Sequence, residues 1–367
     1  MSVKGKTKVV VVFGGRSGEH EVSLKSAKSV MEALDKTKFE IIPIGIKKDG
    51  KWISGDNPWD ELYYNKESGK NFEVTLLPKP GMGLWRLNPM EKLTDVDVIF
   101  PVLHGTYGED GTLQGFLELC DIPYVGSGVI GSSLGMDKVL MKKIFLYEGL
   151  KISNFKGIIR RKWEKDKKKY IKEIEETLEY PVFVKPANLG SSVGISKVKS
   201  SNELEDAVDN ACKFDSKVVV EENIEGKEIE VSVLGNESPK TSVCGEIIPS
   251  KEFYDYEAKY LDDDSELIIP APISDKLSDE TRNIAKKAFM ALDAKGLARI
   301  DFFVNNDTED IYINEINTMP GFTEISMYPK LWNYTGISYE ELLTEVIELS
   351  FMVHEDKKRN QTDFKQY

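Results

Sequence analysis

The sequence predicts an α/β protein of two or three domains, and three observations indicate it. The chain has 367 residues, more than one hydrophobic core usually serves, since single cores stop growing at roughly 250 to 300 residues. Near the N-terminus, an apolar run of strand length precedes a segment whose apolar residues recur at helical spacing. Later segments have the alternation and turn composition of β-hairpins. We therefore expect a βαβ-type N-terminal domain followed by domains that contain hairpins.

The composition disfavours several classes of protein. Asp and Glu outnumber Lys and Arg by 62 to 49, and the net charge of -13 disfavours binding to nucleic acids or anionic membranes over the whole surface. No apolar run near the N-terminus has the length of a signal or membrane segment, so we expect a cytoplasmic protein. The cysteines and histidines, three of each, show no spacing typical of a disulfide framework or a zinc site.

The N-terminal segment has the pattern of a strand, a glycine turn and a helix. Residues 9–13 are an apolar run, Gly14 and Gly15 follow, and apolar residues at helical spacing continue from 22 to 34. A second buried strand is predicted for residues 98–103. These elements open the βαβ-type domain.

Three segments follow in the middle of the chain. A helix is predicted from 137 to 150, near the start of the next domain. The charge-dense segment 159–176 contains interleaved acidic residues, and a solvated helix face explains it better than a nucleic-acid patch. Residues 126–131 match the dinucleotide motif GxGxxG. That motif needs a carboxylate about 20 residues later at the end of a second strand, where this chain has a helical pattern.

Residues 181–198 predict a hairpin with a small-residue tip, Asn188-Leu189-Gly190-Ser191-Ser192. The backbone N–H groups of such a tip can fold over a polyphosphate, while Lys185 on the strand beneath meets its charge. An ordinary hairpin with a flexible tip is the alternative.

The next buried strand, 218–220, leads into acidic and amide groups at 221–228. These groups can bind a purine and a ribose, which favours a nucleotide site.

Residues 298–317 predict a second hairpin, with an Asn- and Asp-rich turn. If Val304 pairs with Tyr312, Asp301 lies opposite Glu315. Like charges directly opposite one another destabilise a sheet unless positive charge lies between them. Carboxylate and amide oxygens are the ligands that Mg²⁺ selects, so a divalent ion is the simplest candidate.

A solvated sheet face is the alternative for this pair of carboxylates. Two neighbours favour the metal. Asn317 adds a neutral oxygen in step with Glu315, and Arg299 adds a cation on the face of Asp301. Apolar residues alternate with these positions and indicate burial, where carboxylates need a counter-charge.

Seven motifs span nearly the whole chain: VFGGRSGEHEVS (12–23), HGTYGEDGTLQGFLELCDIPYVGSG (104–128), GMDK (135–138), VKPANLGSSVGISKV (184–198), EFYDYEAKY (252–260), ARIDFF (298–303) and NEINTMPGFTEIS (314–326). In content and order they resemble the D-alanine:D-alanine ligase family of the ATP-grasp superfamily. The resemblance implies a three-domain ATP-grasp fold with an N-terminal βαβ-type (pre-ATP-grasp) domain. We expect a substrate-binding domain at 1–126, a central domain with the phosphate hairpin at 127–225, and a C-terminal domain with metal and catalytic residues at 226–367.

The resemblance also implies an activity. Members of the family join two D-alanine molecules with ATP through a D-alanyl phosphate, release ADP and phosphate, and supply peptidoglycan synthesis. It implies ATP, two Mg²⁺ (or Mn²⁺) and a homodimer. A D-alanine:D-serine ligase is the alternative; a D-lactate ligase fits less well, because such relatives tend to replace Tyr260 or its loop. A nucleotide-binding module without catalysis is a further alternative, which does not require the oxyanion group Arg299.

Residue roles follow from the same resemblance. Glu19 would anchor the first substrate's ammonium group in a triad with Ser191 and Tyr260; for Glu19 alone, a first-turn helix carboxylate is the simpler explanation. The expected nucleotide contacts are Lys138, Lys185, Ser192, Glu221, Glu222, Ile224, Glu228 and Lys259, and the expected metal ligands are Asp301, Glu315 and Asn317. Arg299 and the Gly321 N–H would stabilise the oxyanion. His104 would contact the first alanine, and Ser326 and Met327 would bind the carboxylate of the second.

Overall fold

The structure is a computed structural model that describes residues 5–67, 69–190, 193–248 and 266–361. Ser191, Ser192, Lys259 and Tyr260, four of the expected site residues, lie outside these ranges. No helix in the described part of the chain has both the length and the apolar composition needed to cross a bilayer.

The first sheet has seven strands in the order β6-β5-β4-β3-β2-β1-β7. β1 runs parallel to β2 and β7, and the remaining pairs are antiparallel. The predicted N-terminal strands and helix are confirmed. The elements are β1 Thr7–Gly14, α1 His20–Ala33, β2 Phe39–Ile46, β3 Trp52–Gly55, α2 Pro58–Tyr64, β4 Asn71–Leu76, β5 Leu84–Leu87, β6 Met90–Thr94, β7 Val98–Val102 and α3 Thr112–Cys120.

The second sheet has four antiparallel strands in the order β10-β9-β11-β8. Its β9 and β10 are the predicted phosphate hairpin, and Asp137 caps the helix predicted from that position by accepting hydrogen bonds from Val139 and Leu140 N–H groups. The elements are α4 Val129–Met136, α5 Lys138–Tyr147, β8 Phe155–Ile159, α6 Arg160–Lys165, α7 Lys167–Glu175, β9 Val182–Pro186, β10 Ser196–Val198, α8 Ser201–Ala211 and β11 Lys217–Glu222.

The third sheet has five antiparallel strands in the order β14-β13-β12-β15-β16. Each of the three sheets lies within one of the three expected domain ranges, whose boundaries stay predictions. The elements are β12 Lys227–Gly235, β13 Lys240–Ile248, β14 Glu266–Ile268, α9 Asp275–Ala291, β15 Gly296–Val304, β16 Ile311–Asn317, α10 Met327–Thr335 and α11 Tyr339–Lys357.

The register of the β15–β16 hairpin corrects one prediction. Val304 pairs with Ile311 rather than with Tyr312. A bulge between Asp301 and Phe302 then shifts the register, and Asp301 still lies opposite Glu315. A bulge adds one unpaired residue to one strand, so it compensates for the one-residue error at the turn.

One hydrophobic core joins the two ends of the chain. Leu342 and Val346 of α11 are fully buried in the cluster that contains Val9 of β1 and Phe100 of β7. Phe322, in the segment between β16 and α10, belongs to the same cluster and packs edge-on against Phe100. The C-terminal region is therefore fixed against the first sheet, which brings both regions to the site described next.

Candidate functional site

The β15–β16 hairpin holds a polar face in which Asp301 is the central acceptor. Arg299 donates from Nε to Asp301 Oδ1 at 2.7 Å and from Nη2 to Oδ2 at 2.8 Å. Asn317 donates from Nδ2 to Oδ2 at 2.9 Å. Glu230, opposite Asp301 on β12, lies 3.0 Å from Arg299 Nε. Although burial would lower the pKa of Arg299, Asp301 and Glu230 raise it well above its ordinary value, so Arg299 stays charged.

Lys138 links this hairpin to the central sheet. It is the first residue of α5, and its Nζ lies 3.2 Å from Glu315 and donates to the Leu189 carbonyl at 3.1 Å. Burial alone would lower the pKa of Lys138, but the attraction of Glu315 raises it. One ammonium group thus contacts both the hairpin carboxylate and the loop that leads to the phosphate hairpin's tip.

The hairpin face fits a divalent cation in its chemistry. Asp301, Glu315 and Asn317 carry hard oxygen atoms on neighbouring strands. In this structure Lys138 and Arg299 supply the counter-charge to the two carboxylates, and Asn317 directs its Nδ2 toward Asp301. The side chains of Asp301 and Glu315 keep 13% and 20% of their surface exposed, which leaves room for a ligand. Among the described residues, no three His, Cys, Asp or Glu side chains cluster as a metal site.

A second charged cluster is centred on Glu221 of β11. Its carboxylate contacts Lys185, and its Oε2 lies 2.9 Å from Lys142 Nζ. Lys142, 1% exposed, also donates to Ser153 Oγ at 2.9 Å. Burial alone would raise the pKa of Glu221, but the two lysines lower it to about 2, whereas burial lowers the pKa of Lys142. Glu221 is therefore an anion held between two cations.

The larger cavity, about 660 Å³, lies between the second and third sheets. It brings together the expected nucleotide residues that the structure describes, namely Lys138, Lys185, Glu221, Glu222, Ile224 and Glu228. Sequence reasoning missed the apolar walls supplied by Phe183, Ile247 and Phe303. Phe183 could have been found, because strand alternation places it on the same face as Lys185.

The smaller cavity, about 310 Å³, lies where the N-terminal and C-terminal regions meet. Its lining includes every expected substrate and oxyanion residue that the structure describes: Glu19, His104, Arg299, Gly321, Ser326 and Met327. It also includes Glu109 and Ser26, which sequence reasoning missed. Both cavities are lined by Lys138, Gly190 and Glu315, so the two cavities meet at these residues.

Glu19 lies between two loop glycines, Gly105 after β7 and Gly190 between β9 and β10. It precedes α1 without capping it through its side chain, and it is 7% exposed. A Cβ atom on Gly190 would come within 2.8 Å of Glu19 Oε2, and one on Gly105 would also clash with that oxygen. A side chain at either position would therefore displace the Glu19 carboxylate from where it lies. The proposed partners Ser191 and Tyr260 lie outside the described residues.

His104 and Glu109, both in the segment after β7, contact backbone groups at the smaller cavity. His104 Nδ1 lies 3.0 Å from the Met319 carbonyl and Nε2 lies 3.1 Å from Ser26 Oγ. Glu109 accepts from the Gly105 N–H at 2.7 Å. Burial, and then repulsion by Glu19, raises the pKa of Glu109 to about 8.

The N-terminus of α10 also lies at the smaller cavity. Ser326 is the N-cap and Met327 the first residue of that helix, and both line the cavity. The first N–H groups of a helix are free of intrahelical bonds, and its dipole favours an anion there. This end of the cavity therefore favours an anion.

Comparisons with known proteins agree over nearly the whole chain. The family model "D-ala D-ala ligase N-terminus" matches residues 8–127, and "D-ala D-ala ligase C-terminus" matches residues 144–348. The D-alanine–D-alanine ligase of Natranaerobius thermophilus is 59% identical and covers 98% of this chain and 99% of its own length. The ligase of the same name from Bacillus cytotoxicus is 48% identical, over 96% and 98%.

Solved structures give the same result for the fold. VanG D-Ala:D-Ser ligase from Enterococcus faecalis matches with a TM-score of 0.85 at 36% identity, covering 94% of this chain and 100% of its own. The D-alanine–D-alanine ligase from Coxiella burnetii matches with a TM-score of 0.83 at 34% identity, covering 97% of each chain. The expected three-domain ATP-grasp fold class is confirmed. Because the family models and these relatives match nearly the whole chain, the chain belongs to the D-alanine–D-alanine ligase family.

Proposed function

We propose that this protein joins two D-alanine molecules in two steps, one at the junction of its cavities and one in the smaller cavity. ATP phosphorylates the first D-alanine, the amine of the second displaces phosphate, and ADP and phosphate are released. The observation that supports this best is the shared lining: Lys138, Gly190 and Glu315 belong to both cavities. A nucleotide in the larger cavity can therefore present its γ-phosphate to a carboxylate in the smaller one.

The first step makes a poor electrophile reactive, since a phosphorylated carboxylate has a good leaving group. Phosphoryl transfer needs in-line positioning and charge neutralisation more than covalent help from the protein. Lys138 and Lys185 line the nucleotide cavity and would neutralise phosphate oxygens. Glu222 and Ile224 line the same cavity, where we place the base and ribose.

The metal proposal rests on the hairpin face. Asp301, Glu315 and Asn317 would hold two Mg²⁺, or Mn²⁺ in their place. When bound, the ions supply positive charge to the phosphate oxygens. We assign Arg299 and Lys138, the cations that contact Asp301 and Glu315, the role of keeping these carboxylates oriented.

The second step develops negative charge on the carbonyl oxygen of the first D-alanine. Arg299 and the Gly321 N–H, both at the smaller cavity, would stabilise this oxyanion. Glu19 would bind the first ammonium group. The N-terminus of α10 at Ser326 and Met327 would bind the carboxylate of the second D-alanine.

A D-alanine–D-serine ligase is the second candidate, because the fold is shared with a ligase of that specificity. The test is phosphate release and product analysis with ATP and D-alanine, D-serine or D-lactate, singly and in pairs with D-alanine. We expect D-alanyl-D-alanine as the main product, and loss of phosphate release on chelation with EDTA that Mg²⁺ or Mn²⁺ restores. A mixed D-alanyl-D-serine product in excess would overturn the proposed second substrate.

Two further proposals concern the setting of the reaction. The family resemblance supports a homodimer that acts in the cytoplasm in the synthesis of peptidoglycan precursors. Light scattering coupled to gel filtration tests the dimer. A single species of about 41.5 kDa, the mass of one chain, would contradict it.

A further inference from the structure

We propose that His104 and Ser26 are positioning residues that form, with the backbone of Met319 and Phe322, a hydrogen-bond circuit that fixes the Gly321 N–H for the second step. The inference rests on the proposed role of Gly321 as an oxyanion donor. It assigns His104 a positioning role in addition to the expected contact with the first alanine. It also assigns a role to Ser26, for which the sequence suggested none.

Hydrogen-bond chemistry fixes the direction of every bond in the circuit. The Met319 carbonyl can only accept, so the His104 Nδ1, 3.0 Å away, carries a proton and donates. The Phe322 N–H can only donate, and it donates to Ser26 Oγ at 3.4 Å. The Ser26 hydroxyl then donates to His104 Nε2 at 3.1 Å. The circuit requires a neutral ring, and burial lowers the pKa of His104 against the attraction of Glu19.

The circuit is shielded from water. Ser26 is 1% exposed, His104 4% and Phe322 0%. A buried polar network whose members are satisfied is rigid, because breaking any bond leaves a buried group unpaired. Ser26 belongs to α1 and His104 follows β7, whereas Met319 and Phe322 follow β16. The N-terminal region therefore holds a backbone segment of the C-terminal region.

Two residues lie between the bonded peptide groups of Met319 and Phe322. Pro320 has no N–H and a fixed φ. The Gly321 N–H makes no hydrogen bond to another residue in the described part of the chain, and Gly321 lines the smaller cavity. The residues on either side of this N–H, Met319 and Phe322, are thus both bonded to side chains of the N-terminal region. An oxyanion donor is effective only when it is fixed before charge develops.

The circuit predicts a separation between the two chemical steps. Phosphorylation of the first D-alanine forms no tetrahedral carbon, so the Gly321 donor is not needed there. Attack by the second amine forms one. Loss of the circuit should therefore slow dipeptide formation and leave ADP formation in the first turnover nearly unchanged.

The experiment is a rapid-quench single turnover of the full-length protein with ATP, Mg²⁺ and D-alanine, following ADP and dipeptide separately. Ser26→Ala should lower the dipeptide rate roughly tenfold, a fraction of the ~10² to 10³ lost with a whole oxyanion donor, while ADP formation stays within about twofold. His104→Asn, whose amide nitrogen can still donate to Met319, should retain more dipeptide formation than His104→Ala.

Ser29→Ala is the matched control. Ser29 lies one turn further along α1 and also contacts the C-terminal region, through the Glu324 N–H at 3.3 Å and the Tyr339 hydroxyl at 3.1 Å. Tyr339 in turn donates to the Phe322 carbonyl, so Ser29 is one bond removed from the circuit and contacts none of its members directly. Equal losses of ADP and dipeptide in Ser26→Ala, no loss at all, or an equal loss of dipeptide in Ser29→Ala would each overturn the circuit. An unmodified protein that forms no dipeptide would instead refute the proposed function.

Discussion

The two charged clusters beside the larger cavity are built differently. Glu221 is enclosed, with lysines on both sides of its carboxylate and only 3% of the residue exposed. Asp301 and Glu315 on the hairpin face are half-buried and contact cations that lie within the sheet or at the start of α5. The enclosed carboxylate fixes two lysines, whereas the half-buried carboxylates can reach a ligand. We therefore expect the hairpin face to matter mainly for turnover and the Glu221 cluster for stability.

The largest expected effect is on the hairpin face. Glu315→Gln or Asp301→Asn should lower turnover by more than ~10³-fold, beyond the loss of one oxyanion donor, because each removes a metal-binding charge while keeping its shape. Steady-state phosphate release measures it. Asp310→Asn is the control, since Asp310 lies just before β16 and pairs with Lys151 in the exposed turn. Mg²⁺-dependent ligation retained in either of the first two variants would contradict the metal assignment.

The next largest effect concerns Arg299, whose contribution to turnover should differ from that of the carboxylates that it contacts. Arg299→Ala should lower turnover by ~10² to 10³, the loss typical of one oxyanion donor. Arg299→Lys keeps the charge but not the paired hydrogen bonds to Asp301, so it should recover only part of the rate. If turnover falls less than tenfold in Arg299→Ala while the free energy of unfolding is unchanged, Arg299 has a structural role only.

The Glu221 cluster predicts a change in stability. Lys142→Met should lower the free energy of unfolding by roughly 2 to 3 kcal/mol, less than the ~3 to 5 of a fully uncompensated buried charge, because Lys185 still contacts Glu221. Urea denaturation measures it. The neighbouring Lys143 is exposed, and Lys143→Met should stay within about 0.5 kcal/mol of the unmodified protein. Equal effects at both lysines would remove the distinction between the two clusters.

The smallest expected effect concerns Glu109, whose pKa rises from 4.5 to about 8. The folded carboxyl binds its proton more tightly than the unfolded one, so its contribution to stability is complete below pH 4.5 and is lost as the pH rises to about 8. Glu109→Gln removes this dependence. Between pH 5 and pH 9, the melting temperature of the variant relative to that of the unmodified protein should rise by at least ~2 °C, which corresponds to at least about 1 kcal/mol for a chain of this length. Parallel melting curves for the two proteins would contradict the assignment.

Strand alternation was sufficient to predict the polar hairpin face. It placed Arg299 and Asp301 on one face, and the structure pairs them with Asn317 and Glu315. It did not predict the bulge, because period-two alternation carries no information on an extra residue until the partner strand is known. The error at Val304 and the bulge cancel at Asp301.

Burial was the harder quantity to predict. Lys142 and Lys143 are adjacent lysines in one helix, and only the packing of α5 shows that the first is buried and the second exposed. Ser26 and Glu109 were missed for a related reason. Ser26 lies far in sequence from its partners His104 and Phe322, and Glu109 lies far from Glu19, which raises its pKa. Single polar residues on a helix or in a loop also give no periodic signal.

The packing of α11 on the first sheet has a consequence during synthesis. The face of that sheet that contains Val9 and Phe100 is covered in part by Leu342 and Val346, which are translated much later. From Val102 to Tyr339 the ribosome adds about 240 residues, which takes roughly 12 to 48 s at ~5 to 20 residues per second. Throughout that interval this surface of the nascent N-terminal domain lacks the cover of α11, and exposed apolar surface makes an emerging chain prone to aggregation.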